Sequence, residues 1–238
     1  MRAQSLSVAV ACYQDAPTIG PLVDEVARVA ATLAARYRVL VIDDGSSDGA
    51  PEVLRSLVPD RPWLECRFHA NNLGFGATFG ELYRFDVGEL NAILPGDAQI
   101  DPGQLAPMVQ AMDGADVVLG VRALRRDSAR RRMNSLLYNA VVSLVAGSRV
   151  RDVNSISVAR TSFVRRLELR SASAFIHAEF LLECFRHGGR VREVVIDHRP
   201  RTHGAGHGGK LGVIGPTLLE LAGYARRHGV ALGRRRAG

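Results

Sequence analysis

The stretch from residue 40 to residue 49 constrains the fold more than any other part of the chain. It reads Leu-Val-Ile-Asp-Asp-Gly-Ser-Ser-Asp-Gly, so an apolar run stops at two adjacent carboxylates and a Gly/Ser turn follows. Such a run is typical of a buried parallel strand. In open α/β sheets, ligands bind beyond the carboxyl ends of the strands. We therefore predict that Asp43 and Asp44 lie at a ligand site, because adjacent acids beside a buried strand are costly without a partner.

The composition is that of a globular chain. Its 238 residues are 47% hydrophobic and 23% charged, which favours one domain with a substantial core. No apolar run approaches the roughly 20 residues that a membrane-spanning helix needs, and no secretory signal pattern is present. The three cysteines, Cys12, Cys66 and Cys184, fall in apolar segments. We expect buried, reduced thiols and a cytoplasmic location.

The charge points to an anionic partner. The net charge is +7 and the pI is about 10, and Lys210 is the only lysine. The planar guanidinium group suits phosphates, which favours nucleotides or lipid phosphates. A compositional bias toward arginine on a solvated surface is the alternative. Nucleic acid is not expected, because the basic residues are not interleaved with aromatic ones.

Apolar runs alternate with helical patterns along the chain, which predicts an α/β fold with a mostly parallel central sheet and helices on both faces. The predicted strands are Leu6–Cys12, Arg38–Asp43, Trp63–Phe68, Ala92–Leu94, Asp116–Val121, Val153–Val158 and Val191–Ile196. The predicted helices run from Pro17 to about Ala35, from Ser47 or Asp48 to Leu57, onward from Asn71, and over Pro102–Met112, Met133–Val145, Phe175–Arg186 and Pro216–Arg227. We expect residues 1–210 to form one domain, followed by a C-terminal helix and basic tail over 211–238.

Polar residues follow three of these strands, at 12–15, 43–44 and 95–97, and would meet at one sheet edge. A nucleotide fits there, with Tyr13 packing on the base and an aspartate accepting hydrogen bonds from base or ribose. The alternative, that the acids only cap turns and helices, is favoured for Asp48.

Two further segments offer ligand contacts at the same edge. The glycines near Gly76 predict a tight turn before a helix, where backbone amides approach a ligand oxygen, with an ordinary loop as the alternative. Asp97 and Gln99 place two oxygen side chains at alternating spacing. Such ligands suit Mg²⁺ or Mn²⁺ shared with a diphosphate, with a simple Pro-Gly-Asp turn as the alternative.

Seven stretches, taken in order, carry a resemblance to a known family and together cover roughly residues 5–207. They are Val8–Asp15, Val41–Gly49, Asn72–Ala77, Pro95–Pro102, Gly120–Arg122, Asp152–Ser155 and His198–Arg201 with Gly204. The set resembles family 2 glycosyltransferases of the GT-A fold, particularly the branch similar to dolichol- or polyprenyl-phosphate sugar synthases.

With that resemblance, the predicted site can be stated in full. The predicted donor contacts are Cys12, Tyr13, Asp15, Asp43, Asp44, Gly76, Asp97, Arg122, Arg199 and Arg201, and the predicted metal ligands are Asp97 and Gln99. The sequence departs from the family in one respect, because Pro95 stands where the family's Asp-x-Asp motif has its first acid. Losing a charged ligand weakens a hard-cation site. We hypothesise that His198, His203 or His207 replaces it, with a loop of solvated histidines as the alternative.

The resemblance implies an inverting glycosyltransferase that moves a sugar from a UDP- or GDP-sugar to a polyprenyl phosphate or small-molecule acceptor. A phosphate acceptor arrives ionised and needs no general base. A hydroxyl acceptor needs one, and Asp152 and Glu179 are the candidates, with His177 also on the acceptor side. The alternatives are a nucleotide-sugar binding protein with lost or weak catalysis, which Pro95 supports, and a sugar-phosphate nucleotidyltransferase. The basic segment Arg125–Arg132 is a candidate contact with anionic lipid at the inner face of the membrane, or else a solvated loop.

Overall fold

The structure is a computed structural model that describes residues 2–85, 87–123, 129–198 and 211–229. Its strands are β1 (Ala3–Cys12), β2 (Ala34–Asp43), β3 (Leu64–Phe68), β4 (Leu90–Pro95), β5 (Val117–Arg122), β6 (Ser157–Arg160) and β7 (Val191–Ile196). Its α-helices are α1 (Ala16–Leu33), α2 (Ala50–Leu57), α3 (Phe75–Tyr83), α4 (Leu105–Gln110), α5 (Ala129–Ala146), α6 (Thr161–Val164), α7 (Ile176–Arg186) and α8 (Leu211–Arg227). Short 3₁₀ turns lie at Val58–Asp60 and Pro102–Gln104.

The strands form one mostly parallel sheet in the order β3-β2-β1-β4-β6-β5-β7, and β6 alone among them runs antiparallel to its neighbours. Alternate side chains of a strand point to opposite faces, and here they enter two separate cores. Val8 and Val10 pack with α1 on one face, whereas Ala9, Leu40 and Ile42 pack with α3 and α7 on the other. The predicted α/β fold with helices on both faces is therefore confirmed.

Some predicted element boundaries differ from those observed. The helix predicted to about Ala35 ends at Leu33, because Ala34 already pairs with Ala3 of β1. The strand predicted at Val153–Val158 is β6, which begins only at Ser157, since the preceding residues turn toward Arg122. Pro102 starts a 3₁₀ turn rather than a long helix, and the Asp101 side chain caps it by accepting the Gly103 N–H at 2.8 Å.

Helix α8 packs on the second core through Leu221 and Tyr224, both of which are buried. The Tyr224 hydroxyl donates to Oε1 of Glu183 at 2.7 Å, and the Arg186 guanidinium donates to both Glu183 oxygens. A polar junction therefore joins α7 to the C-terminal helix. The division of the chain at residue 210 stays a prediction.

Glu183 gives the junction a defined pH dependence. Burial raises the pKa of this carboxyl, but the hydrogen bonds and charge of Arg186 and the bond from Tyr224 outweigh burial and lower it to about 2. The resulting stabilisation is present above the unfolded pKa near 4.5 and is lost as pH falls through 2. We expect Glu183→Gln to cost on the order of 2 kcal/mol at pH 7 in urea unfolding, and much less at pH 2.5. Glu168→Gln, which changes a mostly exposed carboxylate paired with Arg170, is the control and should cost little at either pH.

Two sequence-based expectations concern the cell compartment. Within the described ranges, no helix combines the length and apolar character that crossing a membrane would require. Cys12, Cys66 and Cys184 are all free thiols. Cys12 and Cys184 are buried, as expected, whereas Cys66 is only partly buried.

Candidate active site

The ends of three parallel strands meet at one edge of the sheet, as the sequence predicts. Cys12 of β1 pairs with Asp43 of β2, and Ala11 pairs with Pro95 of β4. Backbone bonds continue past the strands: the Asp44 N–H donates to the Cys12 carbonyl at 2.9 Å. Gly96 donates its N–H to the Ala11 carbonyl at 2.7 Å. The polar segments that follow the three strands are therefore held together by the sheet itself.

The backbone is strained at two positions on this edge. Gln14 and Ala98 have φ angles of 57° and 53°, in the left-handed region that L-residues rarely occupy. Such strain persists only where the surroundings impose it, and it clusters at functional sites. The turn around Ala98 lets Oδ1 of Asp97 accept the Gln99 N–H at 3.1 Å, which fixes the Asp97 carboxylate at the end of β4.

Asp43 is a buried carboxylate that is only half satisfied. Its side chain is 1% exposed, and Oδ2 accepts the Ser46 N–H at 3.0 Å. Oδ1 is buried and has no hydrogen-bond partner in the described part of the chain. Burial raises the pKa of the neighbouring Cys12 thiol, with further contributions from Asp15 and Asp43. An unpaired buried carboxylate oxygen is costly, so a ligand that donates a hydrogen bond to Asp43 would relieve that cost.

Asp44 is also buried, but its oxygens are used by the protein. Oδ1 accepts the Leu73 N–H at 2.8 Å and lies 2.7 Å from Nδ1 of His69, while Oδ2 accepts the Gly74 N–H at 3.0 Å. The other ring nitrogen of His69 lies 3.1 Å from Oε1 of Glu81. Asp44 thus anchors the loop that leads into α3. Sequence reasoning missed His69 and Glu81, because no motif or spacing marks a side chain that joins two distant acids.

Gly76 has a packing reason to be glycine. A Cβ built on it would lie 2.1 Å from the carbonyl carbon of Ala172 and 2.3 Å from the Ser173 nitrogen. The space beside Gly76 is thus filled by backbone of the segment before α7. Its contact with the donor stays a prediction.

Gly76→Ala is expected to destabilise the protein by about 1–3 kcal/mol, because two backbone segments must separate to admit a methyl group. Thermal or urea unfolding measures the loss. Gly80→Ala, one turn later in α3, is the matched control. Its Cβ would contact the flexible end of Arg84 at 3.2 Å, so alanine's better helix propensity should leave stability unchanged or raised. Equal effects of the two substitutions would contradict this assignment.

A cavity of about 140 Å³ opens beside the ends of β4 and β5. Its inner wall is apolar and includes Phe75 and Phe79, whose rings stack with centroids 4.1 Å apart. The polar residues on its wall are Asp97, Gln99, Arg122, Asn154, Ser155, His177 and His198. The Ser155 hydroxyl is buried and unpaired among the described residues, which makes it a second group positioned for a ligand.

Arg122 is held in place by Asp152. Its Nε donates to Oδ2 and its Nη2 donates to Oδ1, each at 2.7 Å, so the carboxylate binds one edge of the guanidinium group through two hydrogen bonds. Nη2 also donates to the carbonyl of Asn154 at 3.1 Å. Both Asp152 oxygens are therefore committed, and its geometry is that of a positioning group for Arg122.

His177 and Glu179 have different surroundings although both are buried on α7. His177 is on the cavity wall, and its Nδ1 lies 2.7 Å from the Tyr83 hydroxyl. Burial and the nearby Arg122 lower the pKa of His177 to about 3, so the ring is neutral near pH 7. Oε2 of Glu179 accepts the N–H groups of Arg170 and Ser171, each at 2.7 Å, and Glu179 is not on the cavity wall. Burial raises the pKa of Glu179.

The protein-family comparison decides the family. The model of glycosyl transferase family 2 matches residues 7–173, which is most of the chain. The chain belongs to glycosyl transferase family 2. The sequence-based recognition is thereby confirmed, and the nucleotidyltransferase alternative is set aside.

The names of two curated relatives each contain a polyprenyl phosphate. The chain is 28% identical over 206 residues to the dodecaprenyl-phosphate galacturonate synthase of Rhizobium johnstonii, covering 84% of this chain and 60% of that protein. It is 28% identical over 204 residues to the undecaprenyl-phosphate 4-deoxy-4-formamido-L-arabinose transferase of Edwardsiella ictaluri, covering 84% and 62%. The chain thus spans less than two thirds of the length of either relative.

The fold resembles that of solved glycosyltransferase structures over nearly the whole chain. Glucosyl-3-phosphoglycerate synthase from Mycobacterium tuberculosis, crystallised with Mn²⁺, UDP and glucosyl-3-phosphoglycerate, superposes with a TM-score of 0.69 at 14% identity. The match covers 96% of this glycosyltransferase-family chain and 81% of that one. The predicted GT-A fold is therefore confirmed.

The remaining predicted site residues are distributed unevenly. Tyr13 is 37% exposed at the edge, where its N–H donates to Oδ2 of Asp15 at 3.1 Å. His198 shares the cavity wall with Asp97 and Gln99. Four predicted residues lie outside the described ranges: Arg199, Arg201, His203 and His207. The described ranges contain no group of three or more His, Cys, Asp or Glu side chains arranged for a metal ion.

Proposed function

We propose that this family 2 chain transfers a sugar, with inversion, from a UDP- or GDP-sugar to a polyprenyl phosphate. The observation that carries the proposal is the meeting of Asp43, Asp97, Gln99 and Arg122 at one edge of the sheet, beside an apolar-walled cavity. The acceptors named for the two curated relatives support the lipid phosphate, with a small-molecule acceptor as the alternative.

Asp43 and Tyr13 would bind the nucleoside of the donor. The unpaired Oδ1 of Asp43 can accept a hydrogen bond from a base N–H or a ribose hydroxyl. The half-exposed Tyr13 ring can pack on the base. Asp44 would contribute to donor binding indirectly, because it holds the loop before α3 in place.

Asp97 and Gln99 fit a Mg²⁺ or Mn²⁺ ion, since both side chains offer oxygen ligands on one cavity wall. Pro95 contributes no ligand, so the ion would rely on the donor's diphosphate oxygens, and His198 is the candidate for a further ligand. A bound divalent cation would neutralise the charge that develops on the departing diphosphate. Asp97 would hold its position through the turn to Gln99, without reorganising during the reaction.

The acceptor side favours a phosphate over a hydroxyl. Both Asp152 oxygens bind Arg122, and Glu179 binds backbone N–H groups away from the cavity. Neither is placed to take a proton from a hydroxyl acceptor. A phosphomonoester with a second pKa near 6 is mostly ionised at pH 7 and can attack the sugar carbon directly. Arg122, oriented by Asp152, would bind a phosphate group on the cavity wall. The chain would then act at the inner face of the membrane, in peripheral contact with anionic lipid.

A thermal-shift panel of UDP-, GDP- and dTDP-sugars with Mn²⁺ tests donor binding. A ligand that binds only the folded state stabilises it in proportion to the logarithm of concentration over Kd, so one nucleotide should stand out. Measuring Mn²⁺-dependent release of the nucleoside diphosphate from that donor then separates a transferase from a binding protein. No shift with any nucleotide would contradict the proposal.

A further inference from the structure

Helix α5 has two apolar faces, and among the described residues only one of them packs on the rest of the protein. Val142 and Val145 are buried in the core shared with α7. On the other side, Met133, Leu136, Leu137 and Leu144 are 66%, 62%, 65% and 52% exposed, and the small Ala140 is exposed between them. Their spacing of three, four and seven residues places them on one side of the helix. We call Met133, Leu136, Leu137, Ala140 and Leu144 the outer face of α5.

The outer face spans about 16 Å of helix, at 1.5 Å per residue. Single exposed apolar side chains are ordinary in globular proteins, but a continuous apolar stripe marks an interaction surface. An exposed apolar stripe on a helix, with basic residues nearby, suits binding in the plane of a membrane surface.

The positive charge of the sequence around α5 indicates which partner binds the outer face. Between residues 123 and 151 the sequence contains seven arginines and a single acid, Asp127. Arg149, three residues after the end of α5, is exposed. A second copy of the chain would bring the same arginines together, which is electrostatically unfavourable. The chain's own segments 199–210 and 230–238 are also basic, so they do not complement these arginines. An anionic lipid surface complements both the apolar stripe and the charge.

The segment that carries α5 returns to the cavity at both ends. It leaves the sheet after Arg122 at the end of β5 and returns at Asp152, which binds Arg122 through both carboxylate oxygens. Inside the segment, the Asn139 side chain donates to the Arg151 carbonyl at 2.6 Å and accepts the Val153 N–H at 3.2 Å. The helix is therefore tied by short bonds to the residues that position Arg122.

We propose that the outer face of α5 docks on an anionic membrane surface and so brings the cavity at Arg122 to the lipid phosphate. This inference rests on the proposed function for the identity of the acceptor, but not for the membrane contact itself.

Flotation of the full chain with vesicles, without any donor, tests the contact. The vesicles are phosphatidylcholine with or without about one third phosphatidylglycerol. The native chain should float with the anionic vesicles, less so in high salt. Leu136→Gln combined with Leu137→Gln should weaken binding about tenfold or more, because two leucines no longer enter the apolar layer. Val58→Gln combined with Val87→Gln changes two exposed valines elsewhere and should bind as the native chain does.

Circular dichroism, donor thermal shifts and the oligomeric state are measured beside flotation. Circular dichroism and donor thermal shifts of the leucine double variant should match the native chain, which shows that the fold and the donor site are intact. Equal flotation of the native chain and the leucine variant would overturn the proposal. So would a native dimer that the leucine variant converts to a monomer, with no vesicle binding by either. Leucine-dependent flotation without donor binding would leave this inference standing and remove the proposed function.

Discussion

Asp97→Asn is expected to lower sugar transfer about 100- to 1000-fold while leaving the fold intact. With Pro95 in place of the family's first acid, Asp97 supplies the only carboxylate among the described residues of the cavity wall that is placed to hold a cation with Gln99. Asparagine keeps an oxygen that can accept the Gln99 N–H, so the turn should survive. It removes the negative charge, on which a hard-cation site depends. The variant's rate at saturating donor, measured over a range of Mn²⁺ concentrations, gives the size of the loss.

Asp101→Asn is the matched control for this change. It alters the same residue type four positions later, where the side chain caps the turn at Pro102 by accepting the Gly103 N–H. Its transfer rate and its Mn²⁺ dependence should both stay near those of the native chain. A native-like rate in Asp97→Asn would refute the metal assignment. A loss that no Mn²⁺ concentration changes, joined to a lower unfolding temperature, would show that Asp97 acts through the fold instead.

Asp43→Asn is expected to raise the Kd for the nucleotide donor about 10- to 100-fold, the equivalent of losing a hydrogen bond to a charged group. The asparagine oxygen can still accept the Ser46 N–H, but its NH₂ group then replaces Oδ1. An N–H or O–H group of the nucleotide that donated a hydrogen bond to Oδ1 would then face the NH₂ group, which cannot accept one. Isothermal titration with the nucleoside diphosphate measures the change without requiring turnover.

Asp48→Asn controls for the loss of one negative charge at the same sheet edge. Both Asp48 oxygens already accept backbone N–H groups, from Ala16 at 2.8 Å and from Ala50 at 3.1 Å. Any cost of this change should therefore appear in stability and not in donor affinity. Equal losses of affinity in the two variants would mean that general electrostatics explains the effect, and that Asp43 makes no direct contact.

The sequence was sufficient to predict the sheet edge because the relevant signals are local. An apolar run that stops at Asp43 and Asp44 is typical of a buried parallel strand that ends at a ligand site. Parallel pairing of the strands then brings Asp97 to the same edge. The order of strands and helices follows from the same patterns. The start of β6 was less predictable, since Ser157 pairs with Ile93 and Leu119, which lie far away in the sequence. The 3₁₀ turn at Pro102 instead depends on a local contact, in which the Asp101 side chain accepts the Gly103 N–H.

The residues that only the structure explains act through distant partners. Asp44 looks like a ligand-binding acid in the sequence, yet it anchors a loop through His69 and the amides of Leu73 and Gly74. Asp152 looks like a general base, yet it orients Arg122. In both cases the residue type suits either role, and the structure shows the partners that hold the side chain. A ligand contact of Asp44 and a base role of Asp152 stay predictions.

The most direct test of the proposed transfer follows a labelled sugar from its donor. The donor chosen by the thermal-shift panel carries the label, and the chain, Mn²⁺ and anionic vesicles containing undecaprenyl phosphate complete the mixture. We predict that label enters the organic extract only when the lipid phosphate is present, and that Asp97→Asn largely abolishes this. Label that stays in the aqueous phase with lipid phosphate present, but moves to a small hydroxyl acceptor when one is added, would contradict the account.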